Sequence, residues 1–546
     1  MSVFEPEILA LCCNWCGYAG ADLAGVSRIQ YPPNTRIMRI MCSGRVEINH
    51  LLTALMFGAD GVMVVCCHTG DCHYVSGNER AEQNFETTQE LLRYLNMEDR
   101  VRMEPISAAE GTKFGKVVSE FTEDLRKLGP NPMKKFRQRF SKDRKGISQE
   151  ELQKVIDGIV EATGVYDCFE CGKCAASCPN TRIEHEYSPM LTVERVHRGL
   201  IDEIAGDPGI WTCMTCGTCS YRCPSGVDYT GFIRRVRALK VGSGGVCSHG
   251  GVFTTLAKLM SNPEVNLKDR LRWVSDDLSI SKKGDLVYFT GCLPYFDPIF
   301  RDANVQYTDI ARSTVRILNK AGITPAVMED ERCCGHDLLW SGKDDDMVQD
   351  LARINLGALK EAGAKRVVMS CPECYRTFVK DYPEYASGST MDFEVLHTSE
   401  LFAELIEEGK LDFAGKAEDI VPITYQDPCR LGRQLGVFDQ PRTVLESLPG
   451  VELREMEENR GNAICCGTSA WMNCGTFSKR VQMDRLREAA ATDAGTLVTA
   501  CPKCMIHFNC TLSEPADPDL PTKPDITVKD LSTFMAEAMG LKGESG

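Results

Sequence analysis

The sequence predicts a multidomain α/β and α protein: a small α/β unit whose strand ends carry thiols, an α-helical segment rich in cysteine, and a duplicated pair of α/β domains. Three observations carry this reading. The chain has 546 residues, too many for one core at about 150 residues per domain. Its 28 cysteines are clustered. And from residue 281 onward the chain repeats itself. The strand-like "DLVYFTGC" ending at Cys292 matches "VPITYQDPC" ending at Cys429, Cys333-Cys334 matches Cys465-Cys466, and "VVMSCPEC" (Cys371, Cys374) matches "LVTACPKC" (Cys501, Cys504). The offsets are 137, 132 and 130 residues, so one supersecondary unit occurs twice. In each copy a β-rich run delivers cysteines at its C-terminal end, where α/β folds place their sites. Two related sites facing each other across a pseudo-twofold interface follow from this.

Composition removes several function classes. Apolar residues make up 43% and charged residues 25%, ordinary for a soluble globular protein. The start "MSVFEPEILALCC" has neither a basic n-region nor a small-residue cleavage site, so a reducing, cytoplasmic setting is expected, in which clustered cysteines signify metal or redox chemistry. The apolar run "GVMVVCC" at 61 to 67 is far below the roughly 20 residues of a membrane span. A net charge of -15 argues against a nucleic-acid partner, which demands a basic surface. The one basic run, "KKFRQRFSKDRK" at 134 to 145, reads as a solvated linker helix. The expected domains are 1–130, a basic linker 131–150, 151–280, 281–415 and 416–546.

The first segment alternates short apolar runs, "EILALCC", "RIMRIMC" and "GVMVVCC", with the amphipathic "INHLLTALMFGA". It holds Cys12, Cys13, Cys16, Cys42, Cys66, Cys67 and Cys72. The next segment carries "CFECGKCAASCP" (Cys168, Cys171, Cys174, Cys178) and "CMTCGTCSYRCP" (Cys213, Cys216, Cys219, Cys223), separated by the helical "MLTVERVHRGLI". The C-x2-C-x2-C-x3-C-P spacing wraps three thiolates around one cubane cluster and sends the fourth to a second. One 4Fe-4S cluster is therefore assigned to Cys168, Cys171, Cys174 and Cys223, the other to Cys213, Cys216, Cys219 and Cys178. Zinc ribbons use two CxxC knuckles, not this run followed by proline. Two such clusters make an electron wire.

Each repeat then supplies one cysteine, a vicinal pair and a CxxC: Cys292, Cys333, Cys334, Cys371 and Cys374, then Cys429, Cys465, Cys466, Cys501 and Cys504. A vicinal pair is a poor disulfide, because so small a ring strains the peptide and the S–S torsion. Five thiolates exceed what a cubane uses, and a vicinal pair suits a more open cluster with an iron accessible to substrate sulfur. Buried core cysteines beside a zinc knuckle would explain neither the repetition nor the number.

The doubled C-x(n)-CCG-x(n)-CxxC pattern resembles the B subunit of heterodisulfide reductase, and the ferredoxin-like segment before it resembles the C subunit. "DPCRLGR" at 427 to 433 fits that family's second unit. The 40 residues between Cys292 and Cys333 lie near the long end of the family's spacing and displace no ligand. This resemblance implies two noncubane 4Fe-4S clusters, each held by one five-cysteine set, with a disulfide bound between them.

The N-terminal segment resembles the delta subunit of methyl-viologen-reducing hydrogenase through "CCNWCGYAGADLAG" at 12 to 25, "RIMCSGRV" at 39 to 46 and "GADGVMVVCCHTGDCHY" at 58 to 74. That resemblance implies one 2Fe-2S cluster, held by Cys13 or Cys16 or both, with Cys42, Cys67 and Cys72, leaving Cys12 and Cys66 in the core. His68 and His73 either tune this cluster through hydrogen bonds or are structural. Cys247, Cys474 and Cys510 stand outside every motif.

"GSGGVCSHGG" at 242 to 251 lacks the third glycine and the strand–helix context of a dinucleotide site, so no flavin is expected in this chain. The implied partner is a flavin protein like the heterodisulfide reductase A subunit, with hydrogenase or formate dehydrogenase subunits, and ferredoxin through that partner, in a large hetero-oligomer. The implied activity is reduction of a disulfide of the coenzyme M–coenzyme B type, coupled to electron bifurcation. The rival reading is an electron-transfer subunit with a non-disulfide acceptor, like those of glycolate, lactate and glycerol-3-phosphate oxidoreductases, or of a bacterial bifurcating complex. A metal-storage scaffold fits the cysteine count but not the ferredoxin spacing.

Overall fold

The computed structural model describes residues 4–136, 149–183, 187–200, 204, 207–239, 247–303, 305–342, 345–385, 391–413, 420–472, 474–515 and 522–541. The chain divides into two units, Met1–Lys145 with His249–Arg270, and Gly146–Ser248 with Leu271–Gly546.

The first unit is a parallel sheet with order β2-β1-β3-β4, formed by β1 (Ile8–Cys13), β2 (Thr35–Ile40), β3 (Gly61–Cys66) and β4 (Val101–Pro105). β3 is buried along its whole length, as a strand covered on both faces must be, which is why it reads as an unbroken apolar run. The crossovers are α1 (Gly17–Val26), α2 (Ile48–Met56) and α3 (Gly77–Arg93), and α4 (Gly111–Leu128) follows β4. Phe114, Val117, Val118, Phe121 and Leu125 of α4 recur at helical spacing and close the core over β1 and β3.

Two features of this unit depart from the sequence expectations. The helix Val252–Met260, placed by sequence in the ferredoxin-like part, packs on α2, where Thr255 donates to Asn49 at 2.6 Å. Its apolar face of Val252, Phe253, Leu256, Leu259 and Met260 is buried, and burying that face decides where the helix goes. Likewise Lys134, which opens the basic run, is no solvated linker residue: its ammonium lies 2.5 Å from the fully buried Asp60. Asp60 also accepts from the backbone of Glu7 and Asn131. Of the linker read at 131–150, residues 137–148 lie outside the described residues.

In the second unit the ferredoxin-like part is built of α5 (Gln149–Thr163), α6 (Lys173–Ser177), α7 (Pro179–Ile183), α8 (Pro189–His197), α9 (Thr218–Tyr221) and α10 (Tyr229–Leu239). α9 packs on α6, and α10 on α5. The first repeat has a parallel sheet of β5 (Leu286–Phe289), β6 (Arg366–Met369) and β7 (Glu394–His397), in that order. The second has β8 (Val421–Gln426), β9 (Val451–Leu453), β10 (Thr496–Thr499) and β11 (Thr527–Asp530), in the order β11-β10-β8-β9. A parallel bridge from Val287 to Ala326 occupies the β9 position of the first repeat, so the two sheets share one topology. Their helices pack reciprocally. Thr308–Lys320 of the first repeat lies on Leu531–Ala538 of the second, and Thr398–Glu407 of the first lies on Asp439–Ser447 of the second. Such an exchange of equivalent surfaces is what a twofold-related pair requires.

Asp530 ends β11 and caps the last helix, accepting from the Ser532 amide at 2.8 Å. Burial pushes its carboxyl up to about 7, against about 3.9 when unfolded. Between those values the folded state binds the extra proton, so this group's stabilising contribution is complete below pH 4 and is lost as pH rises through 7. Asp530→Asn keeps the cap and removes the charge. Its stability relative to the parent is expected to rise by about 4 kcal/mol between pH 4 and 8; a difference independent of pH in denaturant titrations would refute this.

Candidate metal centres

The C-terminal edge of the first sheet gathers five sulfurs. Cys13 ends β1, Cys16 precedes α1, Cys42 follows β2, and Cys67 and Cys72 follow β3. Cys13 Sγ lies 3.7 Å from Cys67 Sγ. Cys67 also interacts with Cys16, and Cys42 with Cys72 and Cys13. The fit is tight: a Cβ at Gly77 would stand 2.3 Å from Cys42 Sγ and 3.3 Å from Cys72 Sγ. Cys12 instead packs in the sheet–helix core, and Cys66 donates to the Glu104 carbonyl at 3.7 Å. Burial pushes both of these thiols up to about 12, which keeps them neutral and poor ligands. The His68 ring pairs with Glu110 at 2.7 Å, and the His73 ring stacks on Trp15 at 3.8 Å.

The ferredoxin motifs lie side by side, and Cys178 of the first is placed with thiols of the second. Cys174 feels Cys168 and Cys171, whereas Cys178 lies with Cys213 and Cys216, and Cys219 with Cys213, Cys216 and Cys178. Each CxxC turns through a left-handed residue, Glu170 at φ 57° and Thr215 at φ 45°. That turn aims the amide of Glu170 at Cys168 Sγ and the amide of Thr215 at Cys213 Sγ, both at 3.4 Å. Amide-to-sulfur hydrogen bonds are a standard means of stabilising reduced clusters.

In each repeat the five cysteines form one connected set. The contacts run Cys292–Cys333–Cys334–Cys374–Cys371 in the first and Cys429–Cys465–Cys466–Cys504–Cys501 in the second. Hydrogen bonds from Cys333 and Cys374 bring Cys334 down to about 7, and those from Cys465 and Cys504 hold Cys466 low, so each vicinal pair offers a ready thiolate. The glycine after each pair is needed for its backbone: Gly335 and Gly467 both sit at φ +86°, a conformation glycine adopts without strain. A Cβ at Gly467 would also meet the Ser478 carbonyl at 2.8 Å. Glu331, just before the first pair, is fully buried and accepts from Thr290 N, Thr290 Oγ1 and Gly291 N at 2.7–2.9 Å. It thereby clamps the loop bearing Cys292 to the loop bearing Cys333.

One contact joins the two kinds of centre. Cys216 of the ferredoxin-like part interacts directly with Cys465 of the second repeat, and this hydrogen bond is the main cause holding the Cys216 thiol low. A polar chain runs through the same region. Arg430, next to Cys429, donates to Thr215 Oγ1 at 2.8 Å, to the Thr215 carbonyl, to Ser469 Oγ at 3.1 Å and to His336 Nε2 at 3.2 Å. His336 meets Glu373 at 3.1 Å through Nδ1, and Lys503 bridges Glu373 and Asp337. Every member of the chain is buried. His336, Asp337 and Glu373 place ligand atoms within 4.8 Å of one another, but the Lys503 ammonium already pairs with both carboxylates and Arg430 supplies the second positive charge, so the trio is an ion-pair cluster and not a cation site.

Motif spacing does not reveal this polar cluster. Its one signal in the sequence is the exchange of charge at matched positions, Glu in "CPEC" and Lys in "CPKC". Cys247, Cys474 and Cys510 stay outside the sockets, with Cys247 Sγ 3.7 Å from Met472 Sδ. A cavity of about 420 Å³ lies where the ferredoxin-like part meets both repeats, lined by Arg234, Arg235, Arg376, Arg433 and Trp340 among others; its excess of guanidinium groups suits an anionic ligand.

Comparison with known proteins assigns these parts. Residues 8–129 match the family model of the methyl-viologen-reducing hydrogenase delta subunit, 164–227 that of the 4Fe-4S dicluster domain, and 286–379 and 423–509 that of the cysteine-rich domain. The chain is 37% identical over 297 residues to the D subunit of the dihydromethanophenazine:CoB–CoM heterodisulfide reductase of Methanosarcina mazei, covering 53% of this chain and 68% of that one. It is 50% identical over 128 residues to the iron-sulfur D subunit of the F420-non-reducing hydrogenase of Archaeoglobus profundus, covering 23% of this chain and 93% of that one. It is also 45% identical over 126 residues to the A subunit of the ferredoxin/F420H2-dependent CoB–CoM heterodisulfide reductase of Methanosarcina acetivorans, covering 23% of this chain and 16% of that one. With its dicluster domain, its two cysteine-rich repeats and its hydrogenase delta-type module, the chain belongs to the family of heterodisulfide reductase D subunits.

Proposed function

We propose that this chain is the iron–sulfur component of a disulfide-reducing complex and reduces a disulfide of the CoB–CoM type between its two five-cysteine sockets. The observation that carries this reading is the seating of the Cys213–Cys219 turn on the second repeat, where Arg433 donates to the Cys216 carbonyl at 2.8 Å and Arg430, beside Cys429, to Thr215 Oγ1 at 2.8 Å, within a pair of reciprocally packed repeats. In the proposed order, electrons enter at the centre of Cys13, Cys16, Cys42, Cys67 and Cys72. A flavin partner would receive them, and clusters held by Cys168, Cys171, Cys174 and Cys223 and by Cys213, Cys216, Cys219 and Cys178 would supply one-electron carriers for their return. A heterodisulfide reductase A subunit shares a 126-residue stretch with this chain at 45% identity, which supports an A-type partner, and bifurcation belongs to that partner.

Bound clusters would supply one-electron transfer and iron sites for sulfur. The protein supplies the rest. Its two thiolate sockets hold the two halves of one S–S bond, its buried repeat interface excludes water, and its arginine-lined cavity favours anionic ligands. In the net reaction, one disulfide, two electrons and two protons give two thiols.

The test is iron and acid-labile sulfide analysis followed by anaerobic viologen-driven reduction of disulfides. About eighteen irons per chain are expected, two, eight and eight from the three parts, together with disulfide turnover. About ten irons would sink the noncubane assignment; full iron with no turnover on any disulfide would favour the electron-transfer reading.

A further inference from the structure

The two CxxC motifs of the repeats differ where they should match. The second position after the first cysteine is Glu373 in one repeat and Lys503 in the other, and these equivalent residues pair with each other across the repeat interface. Lys503 lies 2.5 Å from Asp337 Oδ1 as well, and its ammonium stands 5.0 Å from the centroid of the Trp471 ring. The electrostatic partners of this lysine include Cys371 and Cys292, both in the opposite socket. Its own socket has a different neighbour, His507, whose Nδ1 is 3.3 Å from Cys466 Sγ. The position equivalent to His507 in the first repeat is Thr377. So the duplication preserved ten cysteines and made the polar groups beside them unequal.

We propose that Lys503 is a positioning residue acting across the interface: contributed by the second repeat, it serves the Cys292, Cys333, Cys334, Cys371 and Cys374 socket of the first, setting how readily that socket takes up negative charge. The inference rests on the proposed function. A fixed cation in a buried, low-dielectric site acts strongly over a few ångströms and weakly beyond, so the effect is selective for the nearer socket. It also gives an electron arriving through Cys216 and Cys465 a favourable destination across the interface, and it makes the two ends of a bound disulfide inequivalent. His336 and Arg430 hold Glu373 and Asp337 in place behind the lysine.

The test is EPR-monitored potentiometric titration of the full chain loaded with iron and sulfide. The first-socket signal is identified as the one missing from Cys333→Ala. Lys503→Met is expected to move the midpoint of that signal to lower potential, Glu373→Gln to move it higher, and Lys503→Arg to leave it near the parent value. The ferredoxin-type signals are expected to stay unmoved in all three, and the second-socket signal to stay unmoved in both Lys503 variants, since of this pair it is Glu373 that also faces Cys501. Equal shifts of both sockets, or no shift in any variant at full iron content, would overturn the assignment. If Lys503→Met loses iron, the opposite-signed shift of Glu373→Gln and the retention in Lys503→Arg decide. A parent chain with about ten irons would overturn the proposed function itself, so the two failures are separate.

Discussion

Cys465→Ala is expected to abolish disulfide reduction, by at least about a thousandfold or about 4 kcal/mol in barrier, while the chain keeps both ferredoxin-type clusters. Cys465 is the central thiol of its socket, touching Cys429 and Cys466 within it and Cys216 outside it. Its loss removes a ligand and cuts the contact between wire and socket. The matched variant Cys333→Ala removes the equivalent ligand of the first repeat, which touches Cys292 and Cys334 of its own socket. Both variants should lose turnover, but only Cys465→Ala should alter the potential of a ferredoxin-type signal, because Cys216 loses its main hydrogen-bond partner. Anaerobic activity with a viologen donor, read beside EPR of the same samples, separates the cases. Retention of a tenth of parent activity in Cys465→Ala would defeat the socket assignment, and loss of every cluster signal would assign the residue a folding role.

The strands and their cysteines were legible because chemistry in α/β folds concentrates at C-terminal strand edges. "DLVYFTGC" and "VPITYQDPC" became β5 and β8, and the repeat offsets anticipated two sheets of one topology. The placement of Cys178 beside Cys213 and Cys216 agrees with the spacing rule that sends the fourth cysteine of such a motif to the other cluster. The polar chain was not legible. A charged residue is solvent-exposed by default, and nothing local marks Arg430 as buried, because its partners Thr215 and His336 are 215 and 94 residues away. The same holds for Lys134, whose ion pair depends on the buried Asp60, and for the helix Val252–Met260, whose apolar face could have covered any core. Gly77 shows the same limit on a smaller scale. Its sequence neighbours suggest only a turn, while the nearer of the two sulfurs that forbid a side chain there, Cys42, comes from another loop.

Arg430→Met should be the most damaging substitution in the second unit that touches no cysteine. The guanidinium is buried, lies 4.0 Å from the Trp340 ring centroid, and joins three segments: the Thr215 turn, Ser469 after the second vicinal pair, and His336 after the first. Methionine fills most of the volume, so a cavity is not the issue. The cost is a set of stranded acceptors, each worth about 1–3 kcal/mol when buried without a partner, and a cluster of two carboxylates left with one cation fewer. Breaking a buried charged network by removing one member typically costs about 3–5 kcal/mol. Lysine at this position would keep the charge but lose the planar fork that reaches Thr215 and His336 together, so Arg430→Lys should fall between parent and methionine. Hydrogen exchange of the full chain reads this locally. Protection should drop in peptides covering 212–220, 334–340 and 428–436, while the first unit's strands at 8–13 and 61–66 stay at parent values. An exposed ion pair, Lys365–Asp285, is the control, and Lys365→Ala should change protection by no more than the equivalent of about 0.5 kcal/mol. Parent-like protection in Arg430→Met would mean that the chain of hydrogen bonds is decoration on a fold held by its apolar cores. Loss confined to the three loops would mean that the wire and the two sockets are kept in register by one arginine.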